Sequence, residues 1–117
     1  MRIVVTGVCG SGKTTLVTRL RELGYEAYNV AQEHSCVKTL WRRKKPDMAV
    51  LLDATLLTIR KRRNIAWGED RLAEQRHRLD DVRRHADLYV PTDDLSKDDV
   101  VKRVIEFIGQ HRINALY

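Results

Sequence analysis

Cysteine is scarce in this chain: Cys9 and Cys36 are the only two in 117 residues, too few for a disulfide scaffold. No apolar run approaches the length that crosses a membrane. The N-terminus enters a strand pattern at once, which predicts that no signal peptide precedes it, and the cytoplasm is the expected compartment. Internal repeats, low-complexity tracts and obvious linkers are also missing, so residues 1–117 read as one domain. Glycine numbers six in the whole chain, and three of the six fall in one loop. What is plentiful is charge: 32% of residues are charged beside 43% hydrophobic, a balance that argues for a soluble globular protein and against disorder. The net charge is +6, from 22 basic and 16 acidic residues. Arginines that neutralise phosphates and a basic nucleic-acid face would both produce that excess. Many of the cations alternate with acids on helical stretches, where a charge run is a solvated face, so basicity alone selects neither.

The most specific signal is near the start. Ile3 to Thr6 is a short β-branched run, followed directly by Gly7-Val8-Cys9-Gly10-Ser11-Gly12-Lys13-Thr14-Thr15. This is G-x-x-x-x-G-K-T between a strand and a helical pattern, the context that a phosphate-binding loop needs. Gly7, Gly10 and Gly12 permit backbone torsions that turn successive N–H groups toward a phosphate. Lys13 can reach the β- and γ-phosphate oxygens, Thr14 offers its hydroxyl to Mg²⁺, and the N-terminus of the following helix adds partial positive charge.

At these residues the chain resembles the P-loop NTPases, and the run Gly10 to Thr15 looks most like their small kinase branch of nucleotide, nucleoside and metabolite kinases. The resemblance implies a three-layer α/β fold and a nucleoside triphosphate, ATP or GTP, with Mg²⁺. It also implies a small-molecule phosphate acceptor.

Further along, Lys13 to Leu23 reads as a helix closed by Gly24, and Tyr25 to Val30 as a second strand with Tyr25, Ala27, Tyr28 and Val30 against apolar neighbours. Glu33 and His34 then lie at the carboxyl end of that strand, where ligands sit in open parallel sheets. Glu33 could orient or deprotonate an acceptor hydroxyl, hold Mg²⁺ through water, or simply favour a helix N-terminus. The resemblance supports the first two, because small kinases often place an acid there. His34, with no second ligand nearby, reads as a surface or capping residue. Ser35 to Lys45 reads as a helix stopped by Pro46, its basic end 42–45 matching the helix dipole. The same run with Trp41 for stacking could contact nucleic acid.

Met48 to Ala54 is the clearest buried strand and ends in Asp53, which could hold Mg²⁺ as a Walker B carboxylate or serve as a structural or helix-capping group. The resemblance favours the second role. It aligns Val50 to Thr55 and the cationic run after it with a later strand of the kinases and its arginine-rich lid, implying that an intervening strand and substrate insertion are lost. A second subunit in a homo-oligomer could then complete the site. Thr55 to Arg63 and Glu69 to His85 read as helices around a bend at 64–68, and 56–85 is the expected lid. The resemblance implies an arginine from this segment at the transferring phosphoryl group, with Arg60, Arg62 and Arg63 best placed. The alternative for each arginine is a surface ion pair. Trp67 reads as a lid aromatic or a core-edge cover.

Ala86 to Val90 is the last strand. The resemblance makes Thr92 and Asp93 after it base-contact candidates. Ser96 and Asp99 form a helix cap rather than a GTPase base motif, because an apolar-periodic run with Val100, Val101, Val104, Ile105 and Ile108 follows. Gly109 is expected to weaken that helix, leaving a tail to Tyr117 that is loose or packed on a neighbour. The expected fold is thus about four parallel strands (2–6, 25–30, 48–54, 86–90) with helices on both faces. The leading functional expectation is a Mg²⁺-dependent kinase. A nucleotide-binding regulatory or nucleic-acid-associated module and a simple NTPase are the alternatives.

Overall fold

The computed structural model describes residues 1–116, with the side chains of 112–116 outside what is described. Four strands form one parallel sheet: β1 (Arg2–Gly7), β2 (Glu26–Asn29), β3 (Met48–Asp53) and β4 (Leu88–Pro91), in the order β2-β1-β3-β4. Five helices accompany them: α1 (Lys13–Glu22), α2 (Leu56–Arg62), α3 (Glu69–Arg78), α4 (Asp80–His85) and α5 (Lys97–Leu116). The chain moves one way along the sheet from β1 to β2 and the other way from β3 to β4. Crossovers of the same hand therefore place their helices on opposite faces. Alternation along β1 and β3 feeds both faces. Ile3, Val5, Met48, Val50 and Leu52 meet α1 and α5 residues such as Leu16, Leu20, Val104 and Ile108. Val4, Ala49 and Leu51 meet Ile59, Leu72, Leu79 and Val82 of α2–α4. Burial on both faces is why β1 and β3 are unbroken apolar runs.

Several sequence expectations need correction. The stretch 35–45 is not an α-helix but part of a connection carrying two 3-10 turns, Gln32–His34 and Leu40–Lys44. Gln32 explains this. Its side chain is fully buried, donates to Val37 O (2.7 Å) and accepts from Trp41 N (3.0 Å), replacing helical partners over this stretch. Gln32→Leu is expected to leave Trp41 N unsatisfied, while Val37 O keeps the bond from Leu40 N (3.1 Å), and to cost about 1–3 kcal/mol, read by chemical denaturation. Trp41 is only 6% exposed and donates Nε1–H to Asp81 (2.9 Å), while Arg42 lies over its ring and pairs with Asp81, so the indole is a core group, not a stacking platform. Tyr28 has Arg21 and Lys44 at its ring and donates its hydroxyl to Glu26 (2.8 Å).

The expected helix 69–85 breaks at Leu79, whose burial beside Leu72 and Val82 is served by a bend between α3 and α4. Apolar residues of 56–85, the segment expected as a lid, pack with Val4, Ala49 and Leu51 in the second core, and Trp67 lies against the edge of that core. Thr55 caps α2 by accepting from Thr58 N. Ser96 and Asp99 exchange reciprocal side-chain-to-backbone bonds at the start of α5, a capping box. Helix α5 continues through Gly109 to Leu116, where a weakened end and a tail are expected, and Tyr117 lies outside the described residues. No helix among the described residues is long and apolar enough to cross a membrane.

Candidate functional site

The loop 7–12 leaves the carboxyl end of central β1 and enters α1 beside the point where the chain reverses direction along the sheet, the crevice where open α/β sheets hold ligands. Two glycines set its path. Gly7 (φ +151°) lies so close to β3 that an added Cβ would stand 2.4 Å from Leu52 O and 2.7 Å from Ser11 Oγ. Gly12 (φ +107°) occupies the left-handed region just before Lys13, with open space around it. Thr6 Oγ1 donates to Val50 O (3.0 Å) and anchors the start of the loop to β3.

Lys13 is buried under the loop. Its Nζ donates to Gly7 O (2.8 Å), Val8 O (3.2 Å) and the carboxylate of Glu33. Only 9% of the Lys13 side chain and 3% of the Glu33 side chain are exposed. Glu33 Oε1 is buried without a hydrogen-bond partner among the described residues. The 3-10 turn after β2 thus carries the acid to the lysine, and Arg78 donates to Glu33 O (3.3 Å) and braces the turn from α3. His34 is exposed, with Nε2 3.9 Å from Glu33 Oε2.

A cleft of about 580 Å³ opens over the loop, walled by Asn29, Glu33, His34, Arg62, Arg63 and Lys97. Thr14 and Thr15 also face it, and Asn29 Nδ2 donates to Thr14 Oγ1 (3.3 Å). The three candidate arginines divide by position. Arg63 borders the cleft and reaches Cys9 Sγ at 2.9 Å. Arg62 is a staple, donating to Gly10 O (3.1 Å), Thr92 Oγ1 (2.9 Å) and Thr92 O (2.6 Å). Arg60, expected as catalytic, is exposed beside Gly68 and lines neither the cleft nor the pocket next to it.

That neighbouring pocket, about 230 Å³, sits on the other side of Gly12 between Leu16, Thr92, Leu95 and Val100. Thr92 lines it, but its hydroxyl is committed to Ser11 O (2.9 Å) and Asp53 O (3.1 Å). Asp93 lies outside both cavities and accepts from Thr55 N and Thr55 Oγ1, each at 2.8 Å. Burial pushes its carboxyl pKa up, yet bonds from Thr58 and Thr55 outweigh this and hold it at about 2. A lowered folded pKa stabilises the fold above the unfolded value of 3.8, and the gain is lost as pH falls through about 2. Discounted for partial solvent screening, the ionised Asp93 should contribute about 1 kcal/mol at pH 7 that Asp93→Ala removes, and only a small fraction of that at pH 2, read by thermal melting across that range.

Asp53, open to a metal-binding or a structural role, stands away from the cleft. Its carboxylate accepts from Tyr89 Oη (2.7 Å), Ala54 N (2.9 Å) and Arg76 Nη2 (3.3 Å), on the α3 side of the sheet and outside the cleft. No group of three His, Cys, Asp or Glu residues able to hold a metal occurs among the described residues. The groups that do fit Mg²⁺ are the Thr14 hydroxyl and the unpartnered buried Glu33 Oε1, a short oxygen set of the kind that nucleotide phosphates and water complete. The loop, the N-terminus of α1 and Lys13 fit the phosphates.

Sequence reasoning missed Asn29, Gln75 and Lys97. Asn29 ends β2 and could have been found by the argument that singled out Glu33. Gln75, buried in α3, accepts from Cys9 N (2.9 Å) and holds the loop from across the domain, and nothing local marks it.

A family described as an AAA domain matches residues 3–86, from β1 through α4. No curated protein matches the chain significantly. With the loop at the switch point, Lys13 buried beneath it and the match covering most of the sheet, the chain belongs to this AAA-domain family of P-loop NTPases and is a nucleotide-binding protein.

Proposed function

We propose that the protein is a Mg²⁺-dependent phosphotransferase that moves the γ-phosphoryl group of ATP or GTP to a nucleotide or small metabolite. The observation that carries this reading is Glu33: a carboxylate buried beside Lys13, with one oxygen free of hydrogen bonds, on the wall of a cleft that extends past the loop. A buried, unpaired oxygen is costly unless a ligand uses it. Glu33 accepts the proton of the acceptor hydroxyl or holds Mg²⁺ beside Thr14. Lys13 turns from Gly7 O and Val8 O to the phosphates, and Arg63 neutralises charge on the transferring group. The phosphorus–oxygen bond to the nucleoside diphosphate breaks as the bond to the acceptor oxygen forms. Bound Mg²⁺ supplies charge neutralisation across the phosphates. The pocket between Leu16, Leu95 and Val100 takes the base.

One observation favours a second reading. Asp53 is turned out of the cleft, so a module that binds nucleotide and hydrolyses it slowly or not at all also fits. Measuring ADP and GDP formation with Mg²⁺ over a panel of nucleotide and sugar acceptors separates them. Turnover that rises with one acceptor class and vanishes in Lys13→Ala supports the kinase. Tight binding with no acceptor-dependent turnover supports the module.

A further inference from the structure

Beside the cleft, on the far side of His34, is a second cavity of about 160 Å³ lined, among the described residues, by His34, Arg71, Glu74, Gln75 and Arg78. His34 is a wall of both cavities. Gln75 ties the small cavity to the phosphate loop through Cys9 N, and Arg78 ties it to Glu33 through Glu33 O. Arg71 and Arg78 are seven positions apart on α3, hence on one helical face. Arg78 is held by Glu74 (2.6 Å), whereas Arg71 has no hydrogen bond or ion pair among the described residues. The walls therefore present two guanidinium groups against one carboxylate, with an imidazole and an amide beside them.

We infer that this cavity binds a phosphomonoester group of the acceptor, so that the acceptor is a phosphorylated small molecule whose reacting oxygen lies toward Glu33. This rests on the kinase reading above. Two guanidinium groups, an imidazole and an amide offer more donors than a carboxylate accepts, but suit the three terminal oxygens of a phosphomonoester.

The test uses the whole chain saturated with MgADP, so that the phosphate loop is filled, and titrates inorganic phosphate with ³¹P line broadening as the readout. Wild type should bind phosphate. Arg71→Ala should weaken that binding about tenfold and Arg71→Glu should abolish it, while Arg71→Lys keeps most of it. MgADP affinity and melting temperature should be unchanged in all three, since Arg71 is exposed and unpaired. Phosphate binding that is absent from the loaded wild type, or indifferent to Arg71→Glu, overturns the inference. Arg71-dependent phosphate binding without turnover for any acceptor upholds the site and removes the kinase reading. Turnover of a neutral acceptor that Arg71→Glu leaves intact does the reverse.

Discussion

Lys13→Ala is expected to lower nucleotide-dependent turnover by about 10³-fold and to destabilise the fold by about 3–5 kcal/mol. The first effect follows from removing the cation that is buried against the loop at Gly7 O and Val8 O. The second follows from burial: the Glu33 side chain is 3% exposed, and without Lys13 its carboxylate is left with no cation to offset its desolvation. Gly7 O and Val8 O each lose the lysine's hydrogen bond in the same change, although Val8 O still accepts from Ser11 N (3.1 Å). If this explanation holds, removing both charges should restore stability but not chemistry. Lys13→Met combined with Glu33→Leu should unfold at a denaturant concentration near that of the wild type and remain inactive. Equilibrium unfolding of the single and double variants, with turnover on the same samples, separates the two effects. A single variant as stable as the wild type would mean that the pair is not buried in solution.

Gly7→Ala is expected to be the most damaging change outside the charged pair, at about 3–5 kcal/mol or outright failure to fold. The new Cβ would stand 2.4 Å from Leu52 O, a backbone atom of the strand that pairs with β1 in register Gly7↔Leu52. Neither atom can retreat without opening the centre of the sheet. Gly12→Ala is the control. It has a positive φ too but nothing within 4 Å, so only the torsional term of about 1–2 kcal/mol remains. Denaturation midpoints for the pair measure how much of the loop's glycine requirement is close approach and how much is torsion. Equal losses at both positions would contradict the tight β1–β3 contact.

Local chemistry was legible. The phosphate loop, the apolar runs of β1 and β3 and the Ser96–Asp99 cap each depend on residues close in sequence, where torsion, alternation and capping act directly. Glu33 was legible as a residue at a strand's carboxyl end, but its burial against Lys13 was not. The tertiary structure alone decided which polar groups meet. Asp53 follows Leu52, so the alternation of β3 turns its carboxylate to the α3 face and Arg76, away from the loop. Asp93 and Thr55 are 38 positions apart, Gln75 and Cys9 are 66 apart, and Thr92 and Ser11 are 81 apart. Gln32 displaced a helix that local periodicity favoured, because a fully buried amide must find partners wherever the core supplies them. The chain by itself determined that a phosphate loop opens an α/β sheet. Packing determined which acid, arginine and amide reach it, because those pairings depend on distance in space rather than along the chain.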